Sequence, residues 1–344
     1  SAARGEVVDF GQKADGKPYK FGYINLPSFY MDMEGARKNT EDFRSTTRDV
    51  RAIIADFKSK GIDAVVLDLR RNGGGSLTEA INLTGLFIDK GPVVQVKEPD
   101  GAVQVYKDDD AGVAWEGPLV VMASKQSASA SEIFAGAIRD YHRGIVIGDP
   151  TTHGKGTVQS LMDLGAALSR NQGPQWGALK ITIQQFYLPD GQSTQKEGVP
   201  SDVILPSITA QMDIGESDLD YALENDRVKA AEHSDYKQVN SNLLERLRAN
   251  SVARIEKNVE FDKLLKQIEA YKKQKDEKFV SLNEKAFFER RKELSAEEED
   301  EKLMTEANED KDKIFDKNFY TDEILNVTRD YVEALMELNL VRAG

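Results

Sequence analysis

Hydrophobic positions fall into two regimes along the chain. Up to about residue 215, short runs rich in Val and Ile alternate with stretches whose apolar residues recur every three or four positions. The runs at 22–29, 64–70, 118–124 and 144–148 read as buried strands. Between them, residues 43–60, 77–88 and 131–141 carry helical spacing. That alternation predicts an α/β fold with largely parallel pairing. Further on, residues 178–188 alternate at period two and end at Pro189-Asp190-Gly191, a strand followed by a turn.

The second regime has a different punctuation. All ten prolines lie at or before Pro206, and no Gly or Pro occurs between Gly215 and the terminal Gly344. This is a helical composition. Within residues 251–310, half the positions are Asp, Glu, Lys or Arg. Apolar residues recur at helical spacing in Phe261, Leu264, Leu265 and Ile268, and again in Ile324, Val327, Tyr331 and Leu335. The expected organisation is therefore an α/β core over 1–211 and a charge-laced, mostly α-helical domain over 212–344. The acidic run 296–301 is expected to be a flexible piece of it.

Charge and residue usage narrow the function. Lys and Arg number 46 against 59 Asp and Glu, a formal net charge of −13, with no basic stripe to grip a phosphate backbone. The absence of cysteine removes disulfides, thiolate metal sites and a thiol nucleophile together. Three histidines, His142, His153 and His233, argue against a multi-histidine metal centre. No apolar run approaches the ~18 residues of a membrane span. The opening Ser-Ala-Ala-Arg-Gly-Glu has neither the charged start nor the apolar stretch of a signal peptide and reads as a cut edge.

Three loops carry candidate chemistry. The first, Leu67-Asp-Leu-Arg-Arg-Asn-Gly-Gly-Gly-Ser76, joins a strand to a helix beginning near Leu77. Its glycines suit a tight turn, and equally a close backbone approach to a ligand at a helix N-terminus. It is not the dinucleotide fingerprint, because no G-x-G-x-x-G follows. The second, Ala123-Ser-Lys-Gln-Ser-Ala-Ser-Ala-Ser-Glu132, again joins a strand to a helix. Ser129 and Glu132 have capping-box spacing, which makes Ser129 a helix cap. A serine so placed also suits a nucleophile, since the helix dipole and nearby amides stabilise negative charge.

The third loop, Gly148-Asp-Pro-Thr-Thr-His-Gly-Lys-Gly-Thr-Val-Gln159, fails as a P-loop. Five residues separate Gly148 from Gly154, and Gly156 stands where Ser or Thr must follow the lysine. What remains is Lys155 between two glycines, with Thr157 and Gln159 on its face at period two. Burial among small residues lowers a lysine's pKa. Ser, Lys and a polar orienting residue make a nucleophile–base–orienter set. A Ser-His-Asp set using His142 or His153 stays open on spacing alone.

Taken in this order, the three motifs resemble those of the tail-specific proteases, the C-terminal processing peptidases. The resemblance continues through 183–206, with Phe186-Tyr187, Gly191-Gln-Ser-Thr-Gln195 and Gly198-Val-Pro-Ser-Asp202, and into 250–266 and 280–291. It implies a serine peptidase with a Ser–Lys dyad on a ClpP/crotonase-like α/β core, followed by the helical C-terminal domain. By this resemblance the nucleophile falls on Ser129, the general base on Lys155 and its orienting partner on Gln159. The oxyanion donors fall on the backbone amides of Ala130 and of the Gly73–Gly75 turn, with Gly74 preferred. Arg71 departs from the more common Asn, and the stretch 151–154 runs one residue longer than usual.

No metal or cofactor is implied. Family members carry a PDZ module that captures substrate C-termini, and none is recognisable here. The chain is thus expected to be the core and C-terminal domain of a longer periplasmic protein. Its expected partners are protein or peptide substrates, with an adaptor or self-association, and neither nucleic acid nor a membrane span. Two alternatives stand beside this reading: a non-catalytic scaffold module on the same fold, and a hydrolase of non-peptide esters.

Overall fold

A computed structural model describes residues 2–32, 34–35, 38, 43–165, 177–277, 282–285, 287–288, 314–338 and 340. The run 296–301 lies outside them, as do 280–281, 286 and 289–291 of the stretch 280–291. Strands β1 (Arg4–Phe10) and β2 (Tyr19–Asn25) form an antiparallel pair. Helix α1 (Thr46–Ser59), capped by Ser45, leads to β3 (Ala64–Asp68), and α2 (Leu77–Thr84) follows it. Then come β4 (Gly91–Lys97), β5 (Val103–Asp108) and β6 (Leu119–Ala123), helix α3 (Ala130–Asp140), and β7 (Ile145–Gly148). Strands β8 (Thr157–Asp163), β9 (Ala178–Tyr187) and β10 (Val203–Ile204) complete the core.

The main sheet runs β1-β2-β3-β6-β7-β10, and every pair after the first is parallel. Its strands look continuously apolar in the sequence because both faces are covered. Ile24, Val65, Leu67, Val121 and Val146 point into one cluster, packed against α1, α2 and α3 through Val50, Ile54, Leu83, Phe134 and Ile138. Their neighbours Tyr23, Ala64, Val66, Val120, Met122, Ile145 and Ile147 point the other way. This period-two alternation gives the two-sided burial of parallel sheets.

The second face is closed by the C-terminal part of the chain. Helices α4 (Ser241–Ile255), α5 (Val259–Asp276) and α6 (Phe319–Glu337) follow the core. Leu243 and Leu247 of α4 and Ile324, Leu325, Val327, Tyr331, Val332 and Leu335 of α6 lie in the same cluster as the sheet side chains. Arg254 pins the two helices together, bonding Glu323 at 2.9 Å and Asp330 at 2.7 Å. The helical segment expected from composition is present, but its apolar stripe is shared with the sheet.

Two expectations need correction. Residues 222–240 form no helix despite their Gly- and Pro-free composition. Their amides bond core carbonyls instead, Val228 N–H to Gly191 O, Ala231 N–H to Pro189 O and Tyr236 N–H to Tyr141 O. The segment is a strap along the core. The second sheet, β5-β4-β9-β8, was only partly expected. Most of β5 is solvent-exposed on both sides, so its sequence carries no apolar face to read.

Candidate active site

Three loops leave the carboxyl ends of the neighbouring parallel strands β3, β6 and β7, where open α/β sheets place their ligands. The loop after β6 turns into α3 at Ser129. This residue has φ 57° and ψ −112°, outside the basins that L-residues ordinarily occupy, at a cost of about 1–3 kcal/mol. Its N–H donates to Glu132 Oε2 at 2.7 Å, and its carbonyl accepts from the amides of Glu132 and Ile133. The corner is therefore held by the first turn of its own helix.

The other serines of this segment are occupied. Ser124 Oγ donates to Arg70 O, Ser127 Oγ to Leu69 O and Ser131 Oγ to Asn72 O, at 2.5, 2.7 and 2.8 Å. They fasten the segment to the glycine turn that follows β3. Of the four hydroxyls between 124 and 131, only that of Ser129 has no hydrogen-bond partner among the described residues. The sequence did not reveal this division of labour, because nothing in the spacing tells a stitching serine from a free one.

The glycine turn lies directly against Ser129. A Cβ on Gly74 would stand 3.0 Å from Ser129 Cβ and 2.8 Å from Ala128 O. Asn72, fully buried, shapes the turn by donating to Leu26 O and accepting the Gly74 N–H at 2.9 Å. The Gly74 amide is thus shared with Asn72, whereas the amides of Ala130, Gly73 and Gly75 have no acceptor among the described residues.

Lys155 lies in the loop between β7 and β8. Its Nζ donates to Gln159 Oε1 at 3.0 Å, and no hydrogen bond joins it to Ser129 Oγ. Burial, and after it the charge of Lys180 on β9, lower its pKa from the usual 10.5, while Glu216 and Glu132 pull the other way. His153 has a buried Nδ1 without a hydrogen-bond partner, 4.0 Å from Glu216, and burial lowers its pKa. His142 pairs with Asp235 just past the far end of α3, about 16 Å of helix from Ser129. It does not belong to this site. Among the described residues no three His, Cys, Asp or Glu side chains come together to hold a metal ion.

Glu132 is the residue that sequence reasoning left as a cap. Its fully buried carboxyl accepts from Ser129 N–H and Lys155 N–H at Oε2, and from Gly154 N–H and Thr152 Oγ1 at Oε1. The amides of Ser129 and Lys155 therefore meet on one oxygen. Burial pushes its pKa from 4.5 up to about 7, although all four bonds favour the charged form.

Between those pH values the folded state holds a proton that the unfolded state has lost. This group's contribution to stability is thus full below about 4.5 and falls as pH rises to about 7. Ionisation is what lets both oxygens accept. Above pH 7, Glu132→Gln turns one acceptor into a donor facing two donors, and should cost about 1.5–3 kcal/mol of stability, read by chemical denaturation. A variant that unfolds at the wild-type denaturant concentration would show that the four bonds to this carboxyl hold nothing.

Comparison with known proteins identifies relatives of the chain. Residues 20–205 match peptidase family S41, and residues 209–333 match the C-terminal domain of tail specific protease. The tail-specific protease of Haemophilus influenzae is 40% identical over 276 residues, which are 80% of this chain and 37% of that protein. Carboxyl-terminal-processing peptidase 2 of Arabidopsis thaliana, a chloroplastic protein, is 34% identical over 54% of this chain and 32% of its own length. The photosystem II D1 C-terminal processing protease aligns over 60% of this chain and 48% of its own, with 26% identity and a TM-score of 0.47. The chain spans about a third of the length of the curated relatives it matches. With the first match alone covering more than half of its residues, the chain belongs to peptidase family S41.

Proposed function

We propose that the chain is the catalytic core and C-terminal domain of a tail-specific serine endopeptidase, divided near 211/212, that hydrolyses peptide bonds of protein substrates with a Ser129–Lys155 dyad. The observation that carries this reading is the shared Glu132 oxygen. It brings the backbone of an unpartnered serine, on a strained strand-to-helix corner, next to that of a lysine whose charge burial disfavours.

Neutral Lys155 has a lone pair for the Ser129 proton while one N–H stays on Gln159. Ser129 Oγ attacks the carbonyl carbon as its proton passes to Lys155 Nζ. The oxyanion is held by Ala130 N–H and by the glycine turn. There Gly74 is closest to the serine but its N–H must leave Asn72 Oδ1 to donate, whereas the Gly73 and Gly75 amides have no acceptor among the described residues. Lys155 then protonates the leaving amine, and water, deprotonated by the same lysine, releases the acid and restores Ser129.

Family resemblance supports a periplasmic setting, and a PDZ module outside this chain that presents substrate C-termini, with an adaptor or self-association as further partners. No helix among the described residues is long and apolar enough to cross a membrane.

The lack of a bond between Ser129 and Lys155 favours a second reading, a scaffold that uses the same fold without chemistry. A fluorophosphonate probe followed by peptide mapping separates the two. The expected adduct is on Ser129, formed faster as pH rises and absent from Ser129→Ala. An unlabelled Ser129 in folded protein, or casein hydrolysis that survives Ser129→Ala, would remove the peptidase proposal. Hydrolysis of simple esters without cleavage of casein would point instead to a non-peptide substrate.

A further inference from the structure

The loop that carries Lys155 is gripped from outside by a segment that the proposed chemistry does not use. Gly156 N–H donates to Gln195 Oε1 at 2.9 Å, Lys196 N–H to Gly154 O at 2.7 Å, and Thr194 Oγ1 to Lys155 O at 3.2 Å. Each residue from 154 to 156 is thus touched by one from 194 to 196. The fit is close. A Cβ on Gly156 would lie 2.6 Å from Gln195 N and 2.7 Å from Ser193 Oγ.

Gln195 is fully buried, and its orientation is fixed from the other side. Its Nε2 donates to Glu216 Oε1 and to Leu223 O, both at 3.1 Å, so the atom facing Gly156 N–H must be the oxygen. Asn225 Nδ2 donates to the carbonyls of Ser193 and Gln195. Glu216 N–H donates to His153 O at 2.8 Å, two residues before the lysine. Residues 216, 223 and 225 all lie beyond the end of the α/β core, Glu216 just before the strap and the other two at its start. An amide side chain satisfied on both ends transmits the position of one segment to the other, since shifting either leaves a buried donor or acceptor unmade.

We propose that Gln195 is a positioning residue for the Lys155 loop, and that through it residues 216–225 complete the base, so that the segment after the core takes part in catalysis without touching substrate. This rests on the Ser129–Lys155 reading. The titratable and charged groups around Lys155 Nζ are Lys180 from β9, Glu132 from α3, Glu216 from the segment itself and His153 from the same loop, which feels the charges of both Lys155 and Glu216. They make charge loss and loop loosening distinguishable. Removing Glu216's charge alone lowers the lysine's midpoint, because an acid that favoured the ammonium is gone. Loosening the loop raises the midpoint towards the ~10.4 of a solvated lysine.

The test compares Gln195→Met, Glu216→Ala and Glu216→Gln with the unaltered chain. Three readouts serve: the pH profile of fluorophosphonate labelling at Ser129, KM and kcat on a peptide, and the titration of Lys155 Nζ followed by NMR after carbon-13 reductive methylation, assigned with Lys155→Arg. Gln195→Met should lower labelling and kcat roughly ten- to hundredfold with little change in KM, and should raise the Lys155 midpoint. Glu216→Gln keeps an acceptor for Gln195, so it should lose less rate than Glu216→Ala while its midpoint falls.

A folded Gln195→Met protein with the wild-type rate and midpoint would overturn the inference. Should that variant not fold, equal rates and equal midpoints for the two Glu216 variants would do the same. The NMR titration needs no turnover. A chain unlabelled at Ser129 would therefore sink the peptidase reading, while an unmoved Lys155 midpoint would sink the positioning role.

Discussion

A chain that stops at Gly215 should be recovered as aggregate rather than as a smaller active core. Truncation there removes α4 and α6, and bares nine sheet side chains: Tyr19, Phe21, Tyr23, Ala64, Val66, Val120, Met122, Ile145 and Ile147. Burying a large apolar side chain contributes about 1.5–3 kcal/mol, so the exposed face alone removes on the order of 10 kcal/mol. That rivals the ~5–15 kcal/mol net stability of a whole domain. Polar anchors go with it, including Tyr19 Oη to Glu333 and Arg248 Nε to Asp202 O. Expression yield, sedimentation and dye binding to exposed apolar surface would register the loss. A soluble, monomeric 1–215 fragment with cooperative unfolding would show that the sheet stands without its second cover.

Substituting Arg for Lys155 should leave a folded protein whose turnover falls by ~10²–10⁴, the usual worth of a general base. A guanidinium does not release its proton in this range, so it cannot accept the one from Ser129. In the unaltered chain, kcat should rise with pH through a midpoint below 10.5, because burial and Lys180 disfavour the ammonium. The sign for stability is the same. Between the lowered folded value and 10.5 the unfolded chain holds a proton that the folded chain lacks, so this group's contribution to stability grows with pH across that window. An active Lys155→Arg variant would reject lysine as the base and return attention to His153.

The parallel strands and the helices between them could be read because they are buried on both faces, which leaves short Val- and Ile-rich runs. Strands β1 and β5 were not legible, being exposed or half-exposed along much of their length, while β4 is buried but its apolar run is short and broken by Gln95. The candidate site could be located from three motifs in order, yet its internal wiring could not. Glu132 looked like half of a capping box, and its other three donors come from Thr152, Gly154 and Lys155, about twenty positions away. Ser127 and Ser131 looked like bystanders to Ser129 until their hydroxyls were found on the glycine turn. Gln195 closed a motif of the resemblance but its role was hidden, because a contact between residues thirty-nine positions apart leaves no period in a sequence.

The three loops hang from adjacent strands whose pairing is fixed residue by residue, with Asp68 opposite Met122 and Ala123 opposite Gly148. The sheet is therefore a ruler. Neighbouring strands are about 4.8 Å apart, and a slip of one position along a strand is about 3.3 Å, more than a hydrogen bond can stretch. It would also turn each side chain to the opposite face. The alignment of β7 is pinned by Val146 N–H on Asp202 Oδ2 and by Asp149 N–H on Ala123 O. The spacing of Ser129, the glycine turn and Lys155 is thus set in part by side chains, such as Asp202, that lie outside the candidate site. Errors at Asp202 would surface as slow chemistry on a normally bound peptide.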